Sequence, residues 1–319
     1  MKNIYSNIIN PNSKNLNKII QILKKDGIIS LPTETVYGLA GNAYSNISIQ
    51  KIFNIKKRIK KNPLIIHYYS LNEAKKDVVF NKKFYKLYKK FCPGPITFIL
   101  KKKKNSRIKP IACANLNTVG IRFPKNKIIR NILKRLSFPL AMPSANKSSS
   151  VSPVKPADVS EEFKNKIKVL NGGISQIGIE STVLNLVGKI SILRPGQVTP
   201  KQLEEVIKTK IKISSKQSKI RSPGSLKKHY SPGIPIYLNK KKCPKKNAFI
   251  TFGSKYPVTT NSFNLSKKSN LNEAAKNLYK LFRFVKTKGY KKIYVTKIPN
   301  KGIGIAINDR LKRAAKKWN

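Results

Sequence analysis

The side chains able to do chemistry are scarce in this chain, so their positions carry information. Against 68 Lys plus Arg stand 12 Asp plus Glu, two His and three Cys, and only ten of the cations are Arg. An Arg fork matches carboxylate and phosphate oxygens, whereas Lys is a point charge. Glu34 lies in Pro-Thr-Glu-Thr-Val-Tyr-Gly (32–38), Lys56 and Arg58 shortly precede Asn62-Pro63, and His67 closes Leu-Ile-Ile-His (64–67). Arg122 follows Thr118 on one apolar run, Glu180 precedes Ser181, Arg194 precedes Pro195-Gly196, and His229 precedes Tyr230. Pro143-Ser144-Ala145-Asn146 opens a loop rich in hydroxyls and amides that runs on to Ser152. Forks, hydroxyls and amides at strand ends suit an anionic ligand held by hydrogen bonds. Taken singly, each segment also reads as ordinary structure: a capped turn at Thr33 and Glu34, a solvated Lys-Lys-Arg face, a polar loop.

No cluster of His, Cys, Asp or Glu has metal-ligand spacing. Neither Gly-x-x-x-x-Gly-Lys nor Gly-x-Gly-x-x-Gly follows a strand. Any metal is expected to arrive as Mg²⁺ on nucleotide phosphates, with no metal site in the protein itself.

The elements that must hold these residues follow from apolar spacing. Leu16, Ile19, Ile20 and Leu23 recur at helical intervals after Ser13, a candidate cap, until Asp26-Gly27 stops them; a strand at 28–31 follows. Ile49, Ile52 and Phe53 mark a helix at 48–57, a strand at 64–68 comes next, and helices are expected at 72–78 and 82–91. Strands are expected at 97–100, 119–123, 140–142, 182–187 and 190–194, the last two joined as a hairpin at Gly188-Lys189. A helix at 200–208 gives way to a Lys, Ser and Pro-rich stretch without period. Beyond it, strands at 235–238, 248–252 and 292–296 alternate with helices at 272–285 and 304–317. The domains are therefore expected at 1–208 and 236–319, with 209–235 as linker. The expected fold class is α/β: a twisted-sheet domain followed by a small doubly wound, Rossmann-like one.

Composition excludes several classes. The formal charge is 68 − 12 = +56, yet 39% of residues are hydrophobic, enough for packed cores rather than a disordered basic tail. Three Cys without a Cys-x-x-Cys pair argue against a disulfide framework and a structural zinc site, and a reducing cytoplasm fits them. No apolar run reaches the roughly 18 residues of a membrane span, and the first residues carry no signal-peptide pattern. A surface so positive should attract polyanions, so contact with nucleic acid is expected from the field alone, though the field says little about which; a Lys, Ile and Asn excess along the whole chain reads equally well as compositional bias.

In order, the segments Pro-Thr-Glu-Thr-Val-Tyr-Gly-Leu (32–39), Ile-Phe-x-x-Lys-x-Arg-x-x-x-Asn-Pro-Leu (52–64), Pro-Gly-Pro-x-Thr (93–97), Thr-Val-Gly-Ile-Arg-x-Pro (118–124), Pro-Ser-Ala-Asn (143–146), Glu-Ser-Thr-Val (180–183) and Leu-Arg-Pro-Gly (193–196) resemble the YrdC-like threonylcarbamoyl-AMP synthases. Ser-Pro-Gly-Ser-Leu-Lys-Lys-His-Tyr-Ser-Pro (222–232) and Gly-Ile-Gly-x-Ala-Ile-x-Asp-Arg-Leu-x-Arg-Ala-Ala (302–315) resemble the long, two-domain branch. The resemblance implies that ATP, L-threonine and bicarbonate or CO₂ give threonylcarbamoyl-AMP and pyrophosphate. A downstream threonylcarbamoyl transferase complex would then place the group on tRNA adenosine beside the anticodon.

By the same resemblance, threonine contacts fall on Thr35, His67, Arg122, Met142 (by its backbone) and Ser181. Nucleotide contacts fall on Lys56, Arg58, Asn62, Thr118, Ser144, Asn146, Ser152, Arg194 and Tyr230, with Lys56 and Arg58 handling phosphate charge in catalysis. Ile59, Ser149 and Ser225 depart from the usual Pro, Gly and Met of the family, which bears on loop shape. The C-terminal domain is short for the branch, which leaves open whether it closes on the site or braces it. A noncatalytic tRNA-binding module would have no use for the nucleotide-pocket residues. A hydrogenase-maturation carbamoyltransferase would carry zinc-finger-like Cys motifs, which are absent.

Overall fold

The computed structural model describes residues 5–214 and 229–315. The N-terminal part opens with β1 (Ile8–Ile9), α1 (Ser13–Lys24), β2 (Ile29–Leu31), β3 (Gly38–Asn42) and α2 (Asn46–Lys56). It continues through β4 (Ile65–His67), α3 (Leu71–Ala74), β5 (Val78–Val79), α4 (Lys82–Phe91), β6 (Ile96–Lys102) and β7 (Thr118–Arg122). Then come α5 (Lys127–Lys134), β8 (Leu140–Ala141), α6 (Pro156–Phe163), β9 (Val169–Leu170), β10 (Thr182–Asn185), β11 (Ser191–Arg194), α7 (Pro200–Ile207) and β12 (Lys212–Ile213). The C-terminal part holds β13 (Ile236–Tyr237), β14 (Ala248–Thr251), β15 (Ser262–Asn264), α8 (Leu271–Thr287), β16 (Ile293–Val295) and α9 (Gly304–Ala315).

Twelve strands form one mixed sheet in the order β1-β9-β2-β3-β8-β4-β7-β6-β10-β11-β12, with β5 paired to β6. The C-terminal sheet, β13-β16-β14-β15, is parallel throughout. Its inward residues Ile236, Ala248, Ile250, Ile293 and Val295 are buried with Leu278, Phe282, Ile307 and Leu311 of α8 and α9. That same cluster takes in Val36, Val151, Val154 and Ile179 from the N-terminal domain, so the two domains share apolar surface. On the first domain's own core, Phe84 stacks on Phe80 and meets Phe98 edge-on, and Tyr88 meets Phe123 edge-on, which fixes α4 over β6 and β7.

Most expected elements are present, and the differences have local causes. Asn12, not Ser13, caps α1, its side chain accepting from the Asn15 N–H. The helix expected at 72–78 stops at Ala74, because Asp77 is drawn into a buried cluster where its carboxylate accepts from Tyr44, Tyr68 and Ser106. β3 had no sequence signal: its Gly38 leaves room for the Met142 side chain, which a Cβ there would meet at 2.5 Å. The stretch taken as linker from 209 begins with β12, two exposed edge residues paired with β11. Of the motif at 222–232, residues 222–228 lie outside the described residues. Among the described residues no helix is long and apolar enough to cross a membrane.

Lys also stands at positions where another residue fits the backbone better. α2, α6 and α7 all end on a left-handed Lys: Lys57 (φ 48°), Lys164 (φ 50°) and Lys208 (φ 52°). Ser149 is also left-handed at φ 72°. Gly takes this conformation without the Cβ penalty. Replacing the exposed Lys208 by Gly is expected to raise stability by about 0.5–1 kcal/mol, read as a higher urea midpoint at unchanged slope.

Candidate active site

Register across the large sheet lines up the rare side chains. His67 on β4 lies opposite Arg122 on β7, Arg122 opposite Thr97 on β6, Thr97 opposite Val183 on β10, and Val183 opposite Arg194 on β11. Residues directly opposite each other share a face of the sheet, so His67, Arg122, Thr97 and Arg194 form one transverse row, with Ser181 just before β10. The Thr97 and Ser181 hydroxyls are 2.8 Å apart, and Arg194 donates to the Ser181 carbonyl (3.1 Å) and hydroxyl (3.1 Å). Above the row, the turn 32–37 places Thr35, the loop after β8 places Met142 and Ser144, and the chain entering the second domain places His229. Together with Arg58 and Glu180 these residues wall a cavity of about 40 Å³.

Three guanidinium groups face a small space, and their charges are kept from one another by designated acceptors. Arg122, 4% exposed, donates to Glu34 Oε1 at 2.7 Å. Glu34 Oε2 in turn accepts the Lys125 N–H (3.1 Å), so the acid ties the β7 strand end to the turn 32–37. Arg122 Nε has no hydrogen-bond partner among the described residues. Arg58 is clamped by the Asn62 carbonyl (3.0 Å) and the Pro63 carbonyl (2.8 Å). Burial lowers its guanidinium to about 9, and it stays charged at neutral pH. Burial, then the neighbouring Arg122, holds His67 well below its ordinary range. The ring is therefore neutral at pH 7, with Nδ1 3.2 Å from the Ile65 carbonyl and Nε2 unpartnered.

Glu180 is the acid on the side of the cavity next to Ser181 and Arg194. It accepts from Ser152 Oγ (2.6 Å), Tyr279 Oη (3.1 Å) and Arg310 Nε (2.8 Å), the last two from the C-terminal domain. Burial alone would raise its carboxyl, but Arg310, then Arg194 and the Ser152 hydroxyl, outweigh burial and bring it down to about 2. His229, pushed to about 3 mainly by burial, is neutral.

Of the residues expected to bind ligand, the cavity wall brings together Thr35, Arg58, His67, Arg122, Met142, Ser144, Ser181 and Arg194. The Met142 N–H is spent on the Ile65 carbonyl (2.9 Å). Six others stand back from the wall. Lys56, 1% exposed, donates to the Ser144 carbonyl (2.6 Å) and the Asn146 carbonyl, shaping the loop that carries Ser144. Asn146 spans its own loop to the Ser150 carbonyl (2.9 Å), Asn62 is fully buried beneath Arg58, and Ser152 is bound to Glu180. Thr118 lies at the far end of β7 from Arg122, roughly 13 Å along the strand. Tyr230 packs behind His229, between the Arg310 guanidinium (4.9 Å) and the Tyr279 ring (5.9 Å).

Residue typing assigned no role to Glu34, Glu180 or His229, although their rarity marked them, and gave none to Tyr279 or Arg310. Gly196 had a signal only through its motif: a Cβ there would meet the Thr182 nitrogen at 2.4 Å and the Ser181 carbon at 2.7 Å. Only a glycine lets the turn after Arg194 lie against Glu180–Thr182.

Fold and site together define an α/β enzyme of the YrdC-like type, a nucleotidyltransferase with a second, parallel α/β domain. Residues 21–196 match the family model described as "Telomere recombination" (Sua5, YciO, YrdC), and residues 198–316 match "Threonylcarbamoyl-AMP synthase, C-terminal domain". The threonylcarbamoyl-AMP synthase of Bacillus subtilis (strain 168) is 30% identical, covering 96% of this chain and 94% of its own. The crystal structure of P. abyssi Sua5 complexed with L-threonine superposes with a TM-score of 0.89 at 29% identity, over 97% of each chain. A shorter synthase from Histophilus somni (strain 129Pt), 28% identical, covers 54% of this chain yet 94% of its own length, too short for both domains. The chain belongs to the threonylcarbamoyl-AMP synthase family, in its two-domain form.

Glu34–Arg122 is a buried ion pair at the cavity wall. Removing one partner of such a pair strands the other in a low-dielectric site. Glu34→Ala is expected to lower unfolding free energy by about 3–5 kcal/mol in a urea titration.

Proposed function

We propose that this protein is an L-threonylcarbamoyladenylate synthase, joining L-threonine, bicarbonate or CO₂, and ATP into threonylcarbamoyl-AMP with release of pyrophosphate. The observation that carries the reading is the row His67, Arg122, Ser181 and Arg194 in one cavity with Arg58, in a fold shared with a relative crystallised with L-threonine. Arg122, oriented by Glu34, offers its free Nε edge to an amino-acid carboxylate. Neutral His67 presents Nε2 as an acceptor for the threonine amine or hydroxyl. Arg58 and Arg194 supply the positive charge that phosphate oxygens require.

In this reading the threonine amine first adds to the carbon of CO₂, or of bicarbonate with loss of water, giving a carbamate. A carbamate oxygen then attacks the α-phosphorus of ATP in line, and the bond to the bridging oxygen breaks as pyrophosphate leaves with the electron pair. Positioning and charge neutralisation do most of the work, since neither step needs a covalent enzyme intermediate. Mg²⁺ carried on the ATP phosphates would supply neutralisation of the pyrophosphate charge. The acid at that side, Glu180, is already occupied by Arg310, Tyr279 and Ser152, so phosphate oxygens and water would hold the ion. Lys56 acts here through the Ser144 loop. The product feeds a downstream transferase complex that modifies tRNA next to the anticodon in the cytoplasm, and the +56 charge supports direct tRNA contact.

Purified protein should release pyrophosphate from ATP and Mg²⁺ only when threonine and bicarbonate are both present; release independent of either would overturn the reading. Arg58→Ala should cost about 1.5–3 kcal/mol of transition-state stabilisation, seen as a matching loss in kcat/KM for ATP while the KM for threonine holds.

A further inference from the structure

The C-terminal domain reaches the wall of the site through Arg310 and Tyr279, and Arg310 makes the wider set of contacts. Arg310 on α9 is fully buried, and its guanidinium reaches three separate segments of the cavity wall. Nε donates to Glu180 (2.8 Å), next to Ser181; Nη2 donates to the Pro195 carbonyl (2.9 Å), next to Arg194; and the planar group lies over the Tyr230 ring (4.9 Å), next to His229. Its remaining nitrogen, Nη1, is held by Asp309 at 2.6 Å, which also binds Arg313. We infer that Arg310 is a positioning residue for the nucleotide side of the site, setting the relative placement of Ser181, Arg194 and His229 from the C-terminal domain.

Two physical arguments separate this role from plain domain adhesion. A buried ion pair is weak support for stability, because well-packed apolar groups of equal volume hold a contact as well or better. Adhesion is already supplied by the shared apolar cluster of Val36, Val151 and Ile179 with α8. What the guanidinium adds is a rigid fork with a flat face, the only side-chain shape that can bind a carboxylate and a carbonyl while stacking on a ring. The second argument is charge. Glu180 accepts from Arg310 and Tyr279, so its negative charge is met from the C-terminal domain rather than by turning onto Arg194. Arg194 then keeps its contacts to Ser181 and its charge for the ligand. The threonine side has its own internal balance in Glu34–Arg122 and does not lean on Arg310.

The inference rests on the reading of the cavity as an ATP and threonine site, and the test separates the two. Full-length wild type, Arg310→Lys and Tyr279→Phe are compared by calorimetric titration with ATP and by the KM values for ATP and threonine in pyrophosphate release. Lys keeps the charge but loses the fork, so Arg310→Lys should weaken ATP binding about tenfold or more, with a parallel rise in KM for ATP and an unaltered KM for threonine. Tyr279→Phe removes one hydroxyl and should show the same split to a smaller degree. A folded Arg310→Lys protein that binds ATP like wild type, or that loses kcat with both KM values intact, makes Arg310 a domain contact only and overturns the inference. Should Arg310→Lys fail to fold, unchanged ATP affinity in Tyr279→Phe overturns it instead. Wild type that neither binds ATP nor releases pyrophosphate removes the functional reading, and the inference with it.

Discussion

The Glu180 carboxylate, 4% exposed, is where both domains and the site converge. An ionised carboxylate costs several kcal/mol to bury, and it survives here because Arg310, Tyr279 and Ser152 donate to it and the charge of Arg194 acts on it from further off. The consequence for pH follows in sign. A carboxyl brought from 4.5 down to about 2 in the folded state contributes stability that is fully present above 4.5 and fades as pH falls toward 2. The interdomain contact is therefore electrostatically complete throughout the neutral range.

Around that fixed point the site solves a crowding problem. Arg58, Arg122 and Arg194 face one cavity of about 40 Å³, and like charges so close would repel strongly in a medium of low dielectric. Each is tied down by a different kind of acceptor: two backbone carbonyls for Arg58, a carboxylate for Arg122, a carbonyl and a hydroxyl for Arg194. Carbonyls and hydroxyls orient a guanidinium without cancelling its charge, whereas Glu34 cancels that of Arg122. A net positive charge therefore remains at Arg58 and Arg194, and a charge-balanced, oriented fork at Arg122.

The legibility of this arrangement in the sequence follows distance along the chain. Elements with local signals, such as α1, α2, α4, α8 and the hairpin of β10 and β11, fall where apolar spacing and turn residues place them, because their determinants lie within a few residues. β3 and β12 carried no signal, since a glycine-bearing strand and a two-residue edge owe their existence to partners elsewhere. The same holds for side chains. Arg122, His67 and Ser181 were legible through ordered motifs, and register later placed them in one row. Arg310 sits in a motif too, but nothing near it shows that its partner is Glu180, 130 positions away.

The lysine excess acts on a different length scale. Among the described residues Lys56 is the one buried lysine, and it is spent on the loop carbonyls of Ser144 and Asn146. The remainder stand at least partly in solvent, where charges more than a Debye length apart, about 8 Å at physiological salt, are largely screened. Surface lysines so placed cannot tune a cavity whose cations are Arg groups held by short hydrogen bonds. A field summed over many such charges is the kind a large polyanion meets, in contrast to a small ligand in one cavity. Lysines thus occupy the exterior, even left-handed helix ends such as Lys164 and Lys208, while the cations that wall the cavity and the buried cation of α9 are Arg, whose planar fork, and not only its charge, meets its partners.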